Sequence, residues 1–214
     1  MNVSPNLSAA PPKTFQFVGG ALCLDFCNSM GGKREAVARE YLHSYADFLS
    51  WSQQAGLVGA SAAAARLRHA CRRPAAAAAV LRRAIALRES IYRIFLAGAR
   101  ERKPKESDLE ELNAVLARCL PRLRIAASKQ GFGWEWRREN GSLDDALGPI
   151  ARSAAELLVS RESLERIRQC QGDNCGWLFL DSSRNHSRCW CDMRDCGNRA
   201  KVRRHRLKRR GVKR

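Results

Sequence analysis

Apolar residues recur every three to four positions along most of the chain, which is the spacing of an amphipathic helix. The longest such stretch runs from Pro74 to about Arg102, with Leu81, Ile85 and Phe95 among its apolar positions. Pro74 fits the first turn of this helix, where its missing N–H would have no partner. The same spacing predicts shorter helices at 22–30, 44–54, 61–71, 107–120 and 143–160. The chain is therefore predicted to be mostly helical.

Polar residues mark where two of these helices begin. Ser44 with Asp47 is typical of an N-terminal cap, and Gly56 is predicted to stop the helix that follows. Ser107 with Glu110 forms a capping-box pattern for a later helix. In both cases a side-chain oxygen would accept a hydrogen bond from an otherwise unpaired backbone N–H.

Three short segments alternate apolar and polar residues as β-strands do. Residues 15–18 form the first, and Gly19 and Gly20 after it predict a turn. Residues 123–126 and 132–136 form the other two, and their short connection predicts a β-hairpin. The fold class is therefore α+β and mostly α-helical, with a helical N-terminal domain that contains a small sheet or hairpin.

The charge of the chain is strongly positive and unevenly distributed. The 214 residues include 39 Lys and Arg against 21 Asp and Glu, so the formal net charge is +18. Residues 161–214 hold 16 of these cations and 6 of the acids, which leaves 23 and 15 for the rest of the chain. A uniform bias towards arginine would not concentrate charge in this way. The distribution therefore indicates a polyanionic partner.

The first residues carry no targeting signal. They are rich in Ser, Ala, Pro and Asn, and they lack the basic start and apolar stretch of a signal peptide. Residues 1–12 are therefore predicted to be a disordered leader. No apolar run approaches the ~20 residues that a membrane-spanning helix needs. These observations predict a cytoplasmic protein that does not associate with membranes.

Five of the nine cysteines fall between residues 170 and 196. In a reducing cytosol, clustered cysteines are more often metal ligands than disulfides. Cys170 and Cys175 form one short pair, and Cys191 and Cys196 form another after a loop of 15 residues. Two such pairs let four thiolates converge tetrahedrally on Zn²⁺. The four cysteines are therefore predicted to bind one structural zinc ion, with buried unliganded thiols as the alternative.

The other cysteines are predicted to play no part in metal binding. Only Trp190 separates Cys189 from Cys191, so their two sulfurs have little freedom to bind one ion, and we interpret Cys189 as a spare thiol. His186 is either a substitute ligand or a solvated side chain. The predicted core cysteines are Cys23, Cys27, Cys71 and Cys119.

The segment after Cys196 contains no acidic residue and places Lys or Arg at nearly every turn of a predicted helix. Such a helix repels itself unless it is anchored or neutralised, and it is narrow enough to enter a major groove. The alternative is a solvated charged tail. The predicted nucleic-acid contacts are Arg199, Lys201, Arg203, Arg204, Arg206, Lys208, Arg209 and Arg210. Duplex DNA is the expected partner, and RNA is the alternative.

Two sequence motifs support this prediction by resemblance to known families. The run Cys196-Gly197-Asn198-Arg199 resembles the signature of the CGNR-type zinc finger. The surrounding motifs match it as well: Cys175-Gly176-Trp177-Leu178-Phe179, Asp181-x-Ser183-Arg184-Asn185, Trp190-Cys191-x-Met193 and Ala200-Lys201-x-Arg203-Arg204. The run Phe17-x-Gly19-Gly20-x-Leu22-Cys23-Leu24-Asp25-Phe26-x-Asn28 is similar to the opening of the ABATE domain, which precedes this finger in bacterial proteins. The resemblance implies a zinc-binding, stress-responsive transcription regulator, and it supports the four cysteine ligands.

The predicted domain organisation follows from composition and resemblance together. A helical ABATE-like domain is expected at 13–161, a zinc finger at 167–206 and a basic tail at 207–214. The small four-cysteine finger and its basic helix thus follow the mostly α-helical domain. The run 177–179 is predicted to form the finger's small core and its seam with the helical domain.

The motif residues beside the last ligand suggest local roles. Gly197 is predicted to adopt a left-handed or tight conformation, and Asn198 is predicted to cap the basic helix. Near the N-terminus, Asp25 and Asn28 either line a ligand pocket or satisfy buried backbone groups.

The function predicted from these features is that of a DNA-binding transcription regulator, cytoplasmic and associated with the nucleoid. The sequence contains no P-loop, dinucleotide fingerprint, HExxH motif or Gly-x-Ser-x-Gly elbow, so no enzyme activity is expected. The alternatives are an RNA-binding or ribosome-associated protein, and a small-molecule-binding protein or enzyme with a structural zinc module. A homodimer and an unidentified small-molecule effector are further expectations.

Overall fold

The computed structural model describes residues 13–36, 38–129, 131–137 and 142–211. The leader predicted at 1–12 lies outside the described residues. The helices are α1 Leu22–Cys27, α2 Tyr45–Gln54, α3 Ala60–Arg72, α4 Pro74–Ala99, α5 Glu106–Cys119, α6 Leu147–Val159, α7 Arg161–Glu165 and α8 Asn198–Gly211. The strands are β1 Met30–Gly31, β2 Arg39–Glu40, β3 Leu123–Ser128, β4 Gly131–Trp136, β5 Ile167–Gln169 and β6 Leu178–Leu180. The predicted class, α+β and mostly helical, is confirmed.

The core is built around the long helix α4, which contacts α1, α2, α3, α5 and α6. Leu87, Ile91 and Phe95 on α4 are completely buried because they repeat at the helical spacing of one face. The short helix α1 packs beside α4. Its Phe26 contacts Trp51 on α2, with ring centroids 4.8 Å apart. This arrangement buries α1, and β6 of the C-terminal segment packs against it.

The polar signals at the helix ends are partly confirmed. Ser44 and Asp47 form a full capping box at the start of α2, and Gly56 with a φ of 75° ends the turn after it. The second predicted box is wrong, because α5 begins at Glu106 and its N-cap is Lys105, which places Ser107 inside the helix. Acidic residues in the first turn of α5 stabilise that end through the helix dipole instead.

The strands form three separate antiparallel pairs: β1 with β2, β3 with β4, and β5 with β6. The predicted hairpin is confirmed as β3–β4, with Ile125 opposite Trp134. The strand predicted at 15–18 is wrong, because this segment makes side-chain contacts in place of a ladder. The backbone N–H of Phe15 donates to Oε1 of Gln54 on α2 at 3.0 Å.

A buried ion pair holds β2 against α4. The guanidinium of Arg88 donates to both carboxylate oxygens of Glu40, at 2.7 and 2.6 Å, and also to Glu89. Burial raises the pKa of Glu40. The hydrogen bonds and charge of Arg88, together with the backbone N–H groups of Leu42 and Tyr41, outweigh it and hold that pKa below its usual range. The bidentate pair fixes the side chain of Glu40, and its neighbour on β2, Arg39, is exposed.

Within the described ranges, no helix combines the length and the apolar character needed to cross a membrane.

The buried carboxylate of Asp25 accepts the backbone N–H of Gly19 at 2.7 Å, and burial raises its pKa to about 6. An acid with a raised pKa in the folded state makes the protein less stable as pH rises towards that pKa. We therefore expect the unfolding free energy of Asp25→Asn, relative to the original chain, to increase by about 1–2 kcal/mol between about pH 5 and 7.5. Urea unfolding of both chains across this range checks the prediction, and a difference that does not change with pH would contradict it.

Candidate metal centre and basic helix

The four cysteines predicted as ligands are brought together by the fold. The sulfur atoms of Cys170, Cys175, Cys191 and Cys196 all lie within 4.8 Å of one another, and all four side chains are buried. Cys170 follows β5 directly, and Cys175 lies just before β6, so the β5–β6 pair holds the first two thiols side by side. The second pair comes from the turn that leads into α8.

The spacing of the sulfurs matches a tetrahedral zinc site. Four sulfurs at about 2.3 Å from a Zn²⁺ ion lie about 3.8 Å from one another. The Sγ atoms of Cys175 and Cys191 are 3.7 Å apart, and those of Cys191 and Cys196 are also 3.7 Å apart. The cluster therefore fits one structural zinc ion. Four thiolates complete its shell, so the metal would cross-link the finger without an open position for water.

Hydrogen-bond donors around the sulfur of Cys170 favour its ionised form. The thiol of Cys170 accepts the backbone N–H groups of Gly172 at 3.4 Å and Cys191 at 3.3 Å. Neighbouring thiols and these amides hold the pKa of Cys170 well below its usual range. Four thiolates this close repel one another, so a bound divalent cation provides the charge that lets all of them ionise.

Two glycines let the chain pass close to the ligands. A Cβ on Gly172 would lie 3.1 Å from the sulfur of Cys196 and 3.1 Å from the Cβ of Cys175. A Cβ on Gly197 would lie 2.7 Å from the sulfur of Met193. Gly197 therefore lies against the flexible end of the Met193 side chain, and the left-handed alternative is wrong because its φ is not positive.

The remaining cysteines lie outside the cluster. Cys189 is half-buried, and its thiol points at the carbonyl oxygen of Ser187 at 3.4 Å, which confirms it as a spare thiol. Among the described residues, His186 does not join the group of metal-binding side chains. Cys23, Cys27 and Cys119 are buried as predicted, but Cys71 is exposed because the buried face of α3 carries alanines instead.

The loop between the two cysteine pairs is organised by a buried carboxylate. Asp181 accepts hydrogen bonds from Ser183 at 2.9 Å and from the backbone N–H of Arg188 at 3.0 Å. The Arg188 guanidinium then lies over the ring of Phe179 and donates to the carbonyl oxygens of Trp190 and Cys191. These contacts hold the backbone at Cys191 in place, with its sulfur in the cluster.

The finger is packed tightly against the helical part. Ile167 and Leu178 are completely buried and belong to the main hydrophobic core, whereas Phe179 packs among the cysteines. The indole Nε1 of Trp177 donates to the carbonyl oxygen of Met30 at 2.9 Å. The prediction that residues 177–179 form both the finger core and the seam is thus confirmed.

Asn28 on the helical side closes this seam by pairing with the backbone of β6. Its Oδ1 accepts the N–H of Leu178 at 3.0 Å, and its Nδ2 donates to the carbonyl oxygen of the same residue at 2.9 Å. Nearby, the hydroxyl of Tyr92 on α4 donates to the carbonyl oxygen of Gly176 at 3.0 Å. Asp25 and Asn28 therefore both satisfy buried backbone groups, which is one of the two predicted roles, and Asn28 also lines a cleft between the helical part and the finger.

Asn28→Ala is expected to destabilise the protein by about 2–4 kcal/mol, because it leaves a buried N–H and a buried carbonyl of Leu178 without partners. Thermal or urea unfolding of the zinc-loaded protein measures this loss. Asn113→Ala is the matched control, since Asn113 is exposed on α5. An equal effect of the two substitutions would contradict the assigned role of Asn28.

The basic helix begins as a continuation of the last cysteine turn. Asp192 accepts the backbone N–H of Arg194 at 2.6 Å and caps a wide π-helical turn, Met193–Gly197, that runs directly into α8. Asn198 has helical backbone angles, so its predicted role as the cap is wrong and Asp192 takes that role one turn earlier. The helix axis is thereby fixed relative to the metal ligands.

Two of the predicted nucleic-acid contacts face the finger. The guanidinium of Arg199 donates to the sulfur of Cys196 at 3.1 Å and to Asp195 at 3.2 Å. One turn further on, Arg203 forms an ion pair with Asp173 in the loop between the first two cysteines. These contacts anchor α8 along one side.

The other predicted contacts lie along the rest of the helix. Lys201, Arg204, Arg206 and Lys208 are exposed, and no acidic side chain in the described part of the chain pairs with them. Lys201, Arg204 and Lys208 follow one another at helical spacing and form what we term the outer strip of α8. Arg209 and Arg210 continue the helix, but their side chains lie outside the described part of the structure.

Two residues that support the site were missed by the sequence analysis, Asp173 and Asp195, and the partner of Asn28 was not predicted. The i,i+4 spacing of Asp195 and Arg199 is a recognisable signal for an ion pair on a helix. The pairing of Asp173 with Arg203, and of Asn28 with β6, has no local signal because the partners are far apart in sequence.

Comparison with known families agrees with this geometry. Residues 20–161 match the ABATE family model, described as "Putative stress-induced transcription regulator". Residues 166–209 match the model of the CGNR zinc finger. Together the two models cover the helical part, the four cysteines and most of α8. No curated protein matches the chain.

Proposed function

The chain belongs to the ABATE family and carries a CGNR zinc finger, and on this premise we propose that it is a transcription regulator that binds duplex DNA through α8. The single observation that supports the proposal most is the outer strip of α8. Its cations are exposed and unpaired within the described residues, on a helix whose orientation the metal site fixes.

The two sides of α8 have different roles in the proposed binding. Arg199 and Arg203 are engaged by the finger, so their charge is partly compensated and they act as anchors. Lys201, Arg204 and Lys208 would reach phosphates or base edges when the helix enters a major groove. Anchoring also lowers the entropy lost on binding, because the helix does not have to be ordered by the DNA.

Catalysis is not part of this proposal. A zinc ion held by four thiolates has no free coordination position for substrate or water, so its role is to fix the finger and, through it, α8. We propose a cytoplasmic location on the nucleoid as the consequence of DNA binding.

The test is the salt dependence of binding by the full zinc-loaded chain. Fluorescence anisotropy with a random duplex of about 20 base pairs should give a slope of log K against log salt of about −3 or steeper. Each phosphate contact contributes about −0.9 to this slope. A hairpin RNA of equal length serves as competitor, and it should displace the duplex only at higher concentration. Binding that is insensitive to salt would contradict the proposal, and preferential binding to the hairpin would identify RNA as the partner.

A further inference from the structure

We infer that the cleft between the helical part and the finger binds a small organic anion that carries an aromatic ring. We term it the seam cleft. Its helical wall includes Phe15, Arg39 and Tyr41. Its finger wall includes Trp177, Arg199 and three of the zinc ligands, Cys175, Cys191 and Cys196. The cleft has a volume of about 590 Å³, which lies within the range of small-molecule sites, and such sites occur preferentially between domains.

The charge of the cleft differs between its two walls. The zinc-bound thiolates make the finger wall negative, so an acid group is favoured only at Arg39 on the helical wall. Arg39 is exposed, and no acidic side chain in the described part of the chain pairs with it. Among the described residues, Asp195 is the only carboxylate that lines the cleft, and it is already paired with Arg199 from the finger wall. Lys13 is occupied as well, because its ammonium group contacts Asp47 and the carbonyl oxygen of Tyr41. Arg39 is therefore the cation available to a carboxylate.

The apolar walls favour a ring. The indole N–H of Trp177 is satisfied by Met30, so the rest of that side chain offers apolar surface to the cleft. Tyr41 lies on the opposite wall, and the Arg39 guanidinium is 5.9 Å from its ring centroid. A Cβ at Gly31 would collide with the hydroxyl of Tyr41, so the glycine is what allows this ring to line the cleft. A planar ligand would place its ring between these walls and its acid group at Arg39.

Because the cleft lies between the helical part and the finger, a bound ligand would affect regulation. This part of the inference rests on the proposed function. Asp195 and Arg199 line the cleft and also fix the first turns of α8. A ligand that contacts both walls would stabilise one position of the finger against the helical part. By linkage, its affinity would then differ between the free and DNA-bound protein.

The ring-and-acid specificity can be tested with 2-naphthoate and its neutral amide as probes. Isothermal titration calorimetry on the full zinc-loaded chain should show saturable binding of naphthoate at one site, with a dissociation constant below about 1 mM. The amide should bind at least about tenfold more weakly, because it cannot form the charged hydrogen bond to Arg39. Arg39→Gln should weaken naphthoate by about tenfold and leave the amide unchanged.

Two further variants locate the site. Arg152→Gln is the matched control, because the Arg152 guanidinium lies 4.9 Å from the ring centroid of Trp134, away from the cleft. It should bind naphthoate as the original chain does. Gln16→Trp should abolish binding of both probes without a change in charge, because Gln16 is exposed and lines the cleft. Circular dichroism checks that each variant keeps its helices.

The inference is overturned if naphthoate shows no saturable binding up to about 1 mM, or if Arg39→Gln and Gln16→Trp both bind it normally. Loss of binding in Arg152→Gln instead would place the site elsewhere and would also refute it. The readout does not involve DNA. A negative result here therefore leaves the proposed DNA binding untouched, and failure to bind DNA leaves the cleft to be judged on these titrations.

Discussion

Cys191→Ser is expected to abolish stoichiometric zinc binding and to unfold the finger, whereas Cys189→Ser is expected to do neither. Cys191 lies at the centre of the cluster, 3.7 Å from the sulfurs of both Cys175 and Cys196. The thiol of Cys189, two residues away, lies outside it. The pair therefore compares one buried ligand with one neighbouring spare thiol, under the same serine substitution.

The effect of losing the metal should be large because the finger has little core of its own. Among the described residues, its separate cluster consists of the four cysteines and Phe179, with Val18, Trp177 and Trp190 packed against it. Zinc contributes about 10–16 kcal/mol of apparent binding free energy in isolated zinc-finger peptides. No apolar contact present in this cluster would replace a contribution of that size.

The loss should spread into the helical part without unfolding it. Ile167 and Leu178 come from the finger strands but are completely buried in the main core, so their release exposes apolar surface there. The face of α4 that contains Leu87 and Phe95 does not depend on the cysteines. We therefore expect a lower thermal midpoint together with a largely unchanged helical signal at 25 °C.

Metal analysis and hydrogen exchange measure these effects directly. The original chain and Cys189→Ser should contain about one zinc per chain, and Cys191→Ser should contain much less. Exchange should rise over residues 167–211 of Cys191→Ser and remain slow over most of α4. Retention of about one zinc in Cys191→Ser would contradict the assigned ligands, and complete loss of helical structure would contradict the view that α4 folds without the finger.

The features that the sequence predicted correctly are those with a local signal. The cap at Ser44 and Asp47 and the β3–β4 hairpin arise from residues close in the chain. The four thiols are an intermediate case, because two pairs with short spacing need only one loop closure to meet. These signals were enough for the fold class and for the zinc site.

The features that the sequence did not reveal depend on contacts between distant segments. Asn28 and Leu178 are 150 residues apart, and their pairing determines how the finger sits on the helical part. The orientation of α8 is another example, because its charge pattern is nearly uniform and only the contacts of Arg199 and Arg203 show which side is buried. Cys71 was misassigned for a similar reason, since helical spacing does not say which face of α3 meets the core.

The orientation of α8 leads to the second large effect, which concerns the outer strip. A triple variant, Lys201→Ala, Arg204→Ala and Lys208→Ala, is expected to weaken binding to random duplex DNA by about 10²- to 10³-fold at about 0.1 M salt. Each lost phosphate contact also removes about 0.9 from the magnitude of the salt slope, so the slope should change by about 3. Anisotropy titrations between about 50 and 300 mM salt give both quantities.

The matched control removes the same number of positive charges from a surface outside α8. Arg102, Lys103 and Lys105 are exposed between α4 and α5, and their triple alanine variant lowers the net charge equally. If the net charge alone governs association, the two triple variants should lose affinity to the same extent. If the outer strip contacts the phosphates, only its own variant should change the salt slope.

Zinc content makes the comparison decisive. The outer-strip variant keeps Arg199 and Arg203, so the finger and the anchored side of α8 remain intact and about one zinc per chain should be retained. A loss of DNA binding with full zinc content therefore separates contact from folding, which substitution of a cysteine cannot do. An unchanged slope in a zinc-loaded outer-strip variant would place the DNA contact elsewhere on the protein, and the anchored helix would then need another acidic partner.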